Sequence, residues 1–120
     1  MLMPRPGMWD CVRVGPSTSP IKLREGWLTF YYGVDSSDSY HVGAVLLDAS
    51  EPRRVVARSG KPILSPTLPW ERSGRRADTV FAGGAELVPG TDFIHLYYGA
   101  VDTYIGAVEL RLSALLCNLQ

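Results

Sequence analysis

The side chains that could do chemistry in this 120-residue sequence are few. Tyr32, Tyr97 and Tyr98 stand at strand ends beside glycines, as Tyr32-Gly33 and Tyr98-Gly99. A phenol there can donate one hydrogen bond to an oxyanion, but strand-end aromatics usually pack between sheets. Asp102 follows the second tyrosine run, and a carboxylate can accept two hydroxyl hydrogen bonds at once. Arg72, Arg75 and Arg76 look like a phosphate patch, but a solvated turn is the commoner origin of such a run. Arg13, read alone, is a solvated loop charge. His41 and His95 lie in alternating strands with no acid or cysteine at metal-ligand spacing, so no metal site is expected. Cys11 and Cys117 lie near opposite ends, without a CxxC or zinc pattern, and read as two thiols of a reducing compartment.

The elements that must position these residues are short strands. Trp27 to Tyr32 follows Glu25-Gly26 and stops at Gly33; Leu28, Phe30 and Tyr32 share one face, and Trp27, Thr29 and Tyr31 the other. The polar loop Asp35 to Ser39 leads into a second strand, Tyr40 to Leu47. Arg53 to Arg58 is a third. Pro62 to Pro69 holds too many prolines for a central strand and reads as an extended connector. Thr79 to Ala82 is a strand closed by Gly83-Gly84, and Ala85 to Val88 another closed by Pro89-Gly90. Phe93 to Tyr98 and Tyr104 to Leu110 form a further hairpin. The tail, Ser113 to Leu119, is expected to make a short helical turn with Ser113 as its N-cap.

Composition narrows the function classes. Twelve Lys and Arg balance twelve Asp and Glu, and 46% of residues are hydrophobic. This is an ordinary globular composition without the cationic excess that nucleic acid binding draws on. The 12 glycines and 9 prolines imply many turns, hence many short strands. The longest apolar run, Val42 to Leu47, is far short of the roughly 18 residues of a membrane span. Met1 to Met8 holds two prolines and an arginine where a signal peptide has its apolar core, so a cytoplasmic location is expected.

The two main hairpins repeat. Leu28 to Val34 matches Ile94 to Ala100, with Tyr98 in the place of Tyr32, an offset of 66 residues. Tyr40 to Val45 then matches Tyr104 to Val108 once the second loop is shortened. Repeats of a few short strands are how β-propeller blades read in sequence. Propellers close with about four to eight blades, and this chain has room for about two.

In order and spacing, Trp9 to Gly15, Pro20-Ile21, Gly26-Trp27-Leu28, Tyr32-Gly33-Val34, Tyr40 to Asp48, Pro62-Ile63-Leu64, Val80-Phe81 and Tyr97 to Asp102 resemble the C-terminal portion of glycoside hydrolase family 130. The resemblance covers nearly the whole chain. It implies an all-β fold, about two blades of a five-bladed β-propeller, with residues 1–120 forming the C-terminal part of a glycosidase or glycoside phosphorylase domain. It also implies a β-mannoside or related oligosaccharide as substrate, with inorganic phosphate as co-substrate and no other cofactor.

Site roles follow from the same resemblance, residue by residue. Arg13 stands where the family has a phosphate-binding lysine; arginine keeps the charge and adds a bidentate fork. Tyr32 stands at the family's histidine, and can donate a hydrogen bond but carries no positive charge near neutral pH. Tyr40 completes the phosphate-binding set. Asp102, with Tyr98, stands where the family binds the sugar at the scissile bond. Asp78 replaces an expected asparagine. The general-acid aspartate belongs to an earlier blade and has no counterpart here.

Three readings are therefore open. The chain is a piece of a mannoside phosphorylase or hydrolase, inactive alone; or a non-catalytic carbohydrate-binding module; or a structural fragment that needs a missing N-terminal half, or self-association, to cover its sheets.

Overall fold

The structure, a computed structural model, describes residues 2–65, 80–100 and 104–119. It contains eight strands and one short helix: β1 (Arg13–Pro16), β2 (Ile21–Leu23), β3 (Gly26–Val34), β4 (Tyr40–Leu47), β5 (Val55–Arg58), β6 (Val80–Leu87), β7 (Phe93–Ala100), β8 (Tyr104–Arg111) and α1 (Leu112–Cys117). All strand pairings are antiparallel. In the first sheet β3 and β4 are central, β5 flanks β4, and β1 and β2 share the far edge of β3. The second sheet has the order β6-β7-β8.

The alternation along β3 and β7 fixes which faces meet. Leu28 and Phe30 on β3 and Ile94 and Leu96 on β7 are fully buried, in one apolar cluster with Val42, Ala44, Leu46, Ala82, Tyr98 and Ala100. Each fully buried large aliphatic or aromatic side chain contributes about 2 kcal/mol of burial free energy. This core lies between the two sheets, with β6 against β3 and β4.

On the opposite face of the first sheet, Trp9 from the N-terminal segment stacks on Tyr31 with ring centroids 5.6 Å apart. Gly33 and Gly43 make room for its indole: a Cβ at either would fall within 2.6 Å of a Trp9 ring carbon. Asp10, fully buried beside it, is held by Arg5 and Arg58.

Several local expectations are corrected. Gly83-Gly84 does not end a strand; β6 runs through it, and the register shifts between Ala82 and Gly84, so the pair marks a β-bulge. Ser113 is not the N-cap. That position is Arg111, which makes no side-chain capping bond, and Ser113 is the second residue of α1. Asp92 instead caps the helix from a distance, accepting the Ser113 backbone N–H at 3.1 Å and its hydroxyl at 2.6 Å. Arg53 and Arg54 precede the third strand rather than open it; Arg54 instead pairs with Asp48. The edge strands β1 and β2 were not anticipated. Within the expected connector, Leu64 bridges Val42, while its end from residue 66 lies outside the described residues, as do Arg72, Arg75, Arg76 and Asp78. No helix among the described residues is long and apolar enough to cross a membrane.

Candidate functional site

Strand register assembles three of the expected residues at one end of the first sheet. Gly15 of β1 pairs with Tyr32 of β3, and Arg13 pairs with Val34, which in turn pairs with Tyr40 of β4. Cross-strand partners share a face, so Arg13, Tyr32 and Tyr40 project from the face that carries Leu28 and Phe30. Arg13 Nη2 donates to Tyr40 Oη at 2.6 Å, and its guanidinium carbon lies 5.6 Å from the Tyr40 ring centroid. The Tyr32 and Tyr40 rings lie 5.5 Å apart, tilted by 31°. Tyr32 lies across Gly15, where an added Cβ would come within 2.4 Å of the ring.

The hairpin loop adds an acid. Asp38, at φ 63°, reaches 3.9 Å from Arg13 Nη2. The bond to Tyr40, and then the neighbouring Tyr40, Asp38 and Tyr32, raise the Arg13 guanidinium above its already high value. It is therefore a permanent cation, and its side chain is 49% exposed. A half-exposed guanidinium with two phenols beside it is a hydrogen-bond donor set suited to an oxyanion.

The loop itself is braced. Asp35 Oδ1 accepts the N–H groups of Ser37 and Ser39 at 2.9 and 3.0 Å, and Oδ2 meets His41 Nε2 at 2.8 Å. His41 Nδ1 lies 2.9 Å from Ser65 Oγ. Burial pushes the Asp35 carboxyl up, but His41 and the two backbone donors outweigh it and hold the group below the usual carboxylate range. His41 is thus a brace between hairpin and connector. Among the described residues no group of three or more His, Cys, Asp or Glu side chains could hold a metal ion.

Tyr98 belongs to the second sheet. It is 6% exposed, within the inter-sheet core, with its ring across Gly106. Tyr97, on the opposite face, departs from the expectation of packing: it is 43% exposed and donates to Glu86 at 3.3 Å. His95 bonds Glu109 on that face at 3.0 Å. Lys22, Leu23 and Glu25, around the β2–β3 turn, line one cleft with Leu87 at the end of β6, Asp92 just before β7 and Leu112 at the start of α1, so the starts of β3 and β7 lie together. Tyr32 and Tyr98 lie towards the other ends of these strands. Asp102 lies outside the described residues.

Sequence reasoning missed the Asp10 clasp. Arg5 Nη2 and Arg58 Nη2 donate to Asp10 Oδ2 at 2.7 and 2.8 Å, and the Tyr31 hydroxyl donates to it at 2.9 Å. Burial raises the Asp10 carboxyl, yet the Arg5 and Tyr31 bonds and the two arginine charges hold it below the ordinary value. Burial pushes the Tyr31 phenol up. The Val12 N–H then bonds the Val34 carbonyl at 2.9 Å, so the clasp delivers the chain to the start of β1 and Arg13. Trp9-Asp10 was visible as a motif, but the Arg58 partner 48 residues away was not.

Known proteins resemble this chain in sequence and in fold. The chain is 41% identical over 113 residues to a 1,2-β-oligomannan phosphorylase of Thermoanaerobacter sp. (strain X514), covering 94% of this chain and 38% of that protein. A solved β-1,2-mannobiose phosphorylase from Listeria innocua, in complex with β-1,2-mannobiose, is 40% identical and superposes with a TM-score of 0.92 over 98% of this chain and 33% of its own. A 28% identical structure, from work on family members that hydrolyse β-1,2-mannosidic linkages in Candida mannan, reaches a TM-score of 0.80 over 92% of this chain and 33% of its own. These neighbours are propeller-type structures, and the two antiparallel sheets correspond to part of one. The chain spans about a third of the length of the relatives it matches. The sequence pattern of glycoside hydrolase family 130, described as β-1,4-mannooligosaccharide phosphorylase, matches residues 1–119, and the chain belongs to that family.

Proposed function

We propose that this chain forms one wall of a β-mannoside phosphorylase or hydrolase site, the wall that receives the anion and part of the sugar. Arg13, Tyr32 and Tyr40 take inorganic phosphate; Asp102, with Tyr98, takes hydroxyls of the mannoside at the scissile bond. The observation that carries this reading is the Arg13–Tyr40 contact of 2.6 Å beside the Tyr32 ring, a permanent cation with two phenolic neighbours on one face. A phosphorylase needs such donors because phosphate is already anionic and nucleophilic, whereas a hydrolase must generate its nucleophile from water with a base. Either reaction needs an acid to protonate the leaving oxygen. In this reading that acid lies in family chain beyond these 120 residues, and the chain alone turns nothing over.

Calorimetric titration tests it. Inorganic phosphate should bind the purified chain and lose that binding in Arg13→Gln. β-1,2-Mannobiose should bind and lose affinity in Asp102→Ala. Absence of phosphate binding, or binding unchanged in Arg13→Gln, overturns the anion site; turnover of the mannoside by the chain alone overturns the placement of the acid elsewhere.

A further inference from the structure

The hairpin loop between β3 and β4 carries two acids with different engagements. Asp35 is consumed inside the loop: Ser37 and Ser39 donate their N–H groups to one oxygen, and His41 Nε2 meets the other at 2.8 Å. Asp38 stays outside that network. Its backbone N–H donates to the Asp35 carbonyl at 3.0 Å, and its φ of 63° is the left-handed conformation that Asp, Asn and Gly tolerate. Its Oδ1 stands 3.9 Å from Arg13 Nη2, beyond hydrogen-bond reach, so the carboxylate meets the guanidinium as a charge and keeps its acceptor capacity. Asp38 is 76% exposed beside the half-exposed Arg13, so both are open to the same incoming ion. The site therefore presents donors from Arg13 and, at its rim, an acceptor.

We propose that Asp38 makes the Arg13 site selective for an oxyanion that carries a proton, phosphate, over one that carries none, such as sulfate. The proposal rests on the reading of this site as an anion site given above. Both ions are tetrahedral, and at mildly alkaline pH both carry close to two negative charges. They differ in one proton. Phosphate keeps a P–OH group that donates to a carboxylate while its other oxygens accept from Arg13. Sulfate presents acceptors alone, and the oxygen turned towards Asp38 meets a like charge. Discrimination of this kind needs a repulsive element as well as an attractive one, and Asp38 supplies it. A buried site that bonds a substrate hydroxyl rejects the analogue lacking it by about 10⁴-fold or more. Asp38 is largely solvated and its charge is screened, so the discrimination expected here is about tenfold.

Calorimetric titration of the purified chain with sodium phosphate and with sodium sulfate, at the same mildly alkaline pH and ionic strength, tests it. Phosphate should bind about tenfold more tightly than sulfate. Asp38→Asn keeps a residue that tolerates the positive φ and replaces the carboxylate by an amide that also donates. The ratio should then fall below about threefold, chiefly because sulfate binds more tightly. Asp38→Gly, which removes the side chain and suits that backbone conformation, should narrow the ratio in the same way. Ser36→Ala, at an exposed position of the same loop, should leave the ratio as in the wild type. A wild-type chain that binds sulfate as well as phosphate, or a preference for phosphate kept in both Asp38 variants, overturns the inference and leaves the anion site standing. Binding of neither ion overturns the anion site and the inference with it.

Discussion

Arg58 Nη2 lies 2.8 Å from the fully buried Oδ2 of Asp10, joining the N-terminal segment to β5 across 48 residues of sequence. Arg5 and the Tyr31 hydroxyl complete the cage around the carboxylate, and the Arg58 guanidinium lies over the Tyr31 ring at 5.3 Å. Removing one partner of such a buried pair leaves an uncompensated charge. Asp10→Ala should therefore lower unfolding free energy by about 3 kcal/mol, the range for breaking a buried ion pair. Urea titration measures it. A loss below about 1 kcal/mol would mean that the clasp is no better than a surface pair.

The same carboxylate sets an acid limit. Its folded value lies below the unfolded one, so the ionised form favours the folded state. The resulting stability is fully present above the unfolded value near pH 4 and is lost as pH falls through the folded value. Asp35, held down by His41 and two backbone donors, and Asp48, held down by the Ser50 and Glu51 N–H groups, act in the same direction. Urea midpoints between pH 7 and pH 2.5 should fall below about pH 4 in the wild type. They should fall less steeply in Asp10→Asn, which lacks that titration. Parallel acid limbs in the two proteins would show that Asp10 is not the group responsible.

The repeat that made the fold legible in sequence rests on local physics. Tyr40 to Leu47 has the bounds that its alternation and flanking polar loop predict, and the strand from Phe93 begins where the same signal puts it but runs past Tyr98 to Ala100. What failed locally was punctuation: Gly83-Gly84 reads as a stop, but a glycine can equally absorb the extra residue of a bulge. Ser113 reads as a cap, but Asp92 reaches the helix start from the preceding turn region and takes its donors. β1 and β2 are short edge strands of four and three residues, with no run long enough to show a period. The site was legible only as a set of residue types. That Arg13 meets Tyr40 depends on two successive pairing registers, Arg13 with Val34 and Val34 with Tyr40, which no local pattern encodes.

Two glycines under tyrosine rings should respond differently to the same substitution. A Cβ at Gly15 would fall 2.4 Å from Tyr32, and one at Gly106 would fall 2.6 Å from Tyr98. Tyr32 is half-buried at the end of the first sheet, whereas Tyr98 lies within the inter-sheet core. Gly106→Ala should therefore cost about 1–3 kcal/mol, as overpacking does, and Gly15→Ala less. Gly83→Ala, with open space at its Cβ, is the control and should change stability by less than about 1 kcal/mol. Thermal melts rank the three; equal losses at positions 15 and 106 would show that ring burial does not set the cost.

Arginine at position 13 makes a further distinction measurable. Tyr40 accepts from one guanidinium nitrogen, Nη2, and the group has further N–H donors for an oxyanion. Lysine at this position would keep the charge but offer a single ammonium, with no fork to hold Tyr40 and phosphate together. Arg13→Lys should thus weaken phosphate binding several-fold and Arg13→Gln by tenfold or more, the scale of a lost charge-assisted hydrogen bond. Tyr40→Phe should resemble Arg13→Lys, since it frees the guanidinium from its anchor without removing charge. Raising salt separates the contributions. The advantage of wild type over Arg13→Gln should shrink as ionic strength rises, because screening weakens an exposed charge, while the advantage over Arg13→Lys should persist because it is geometric. An Arg13→Lys protein that binds phosphate as well as wild type at every salt concentration would reduce Arg13 to a point charge.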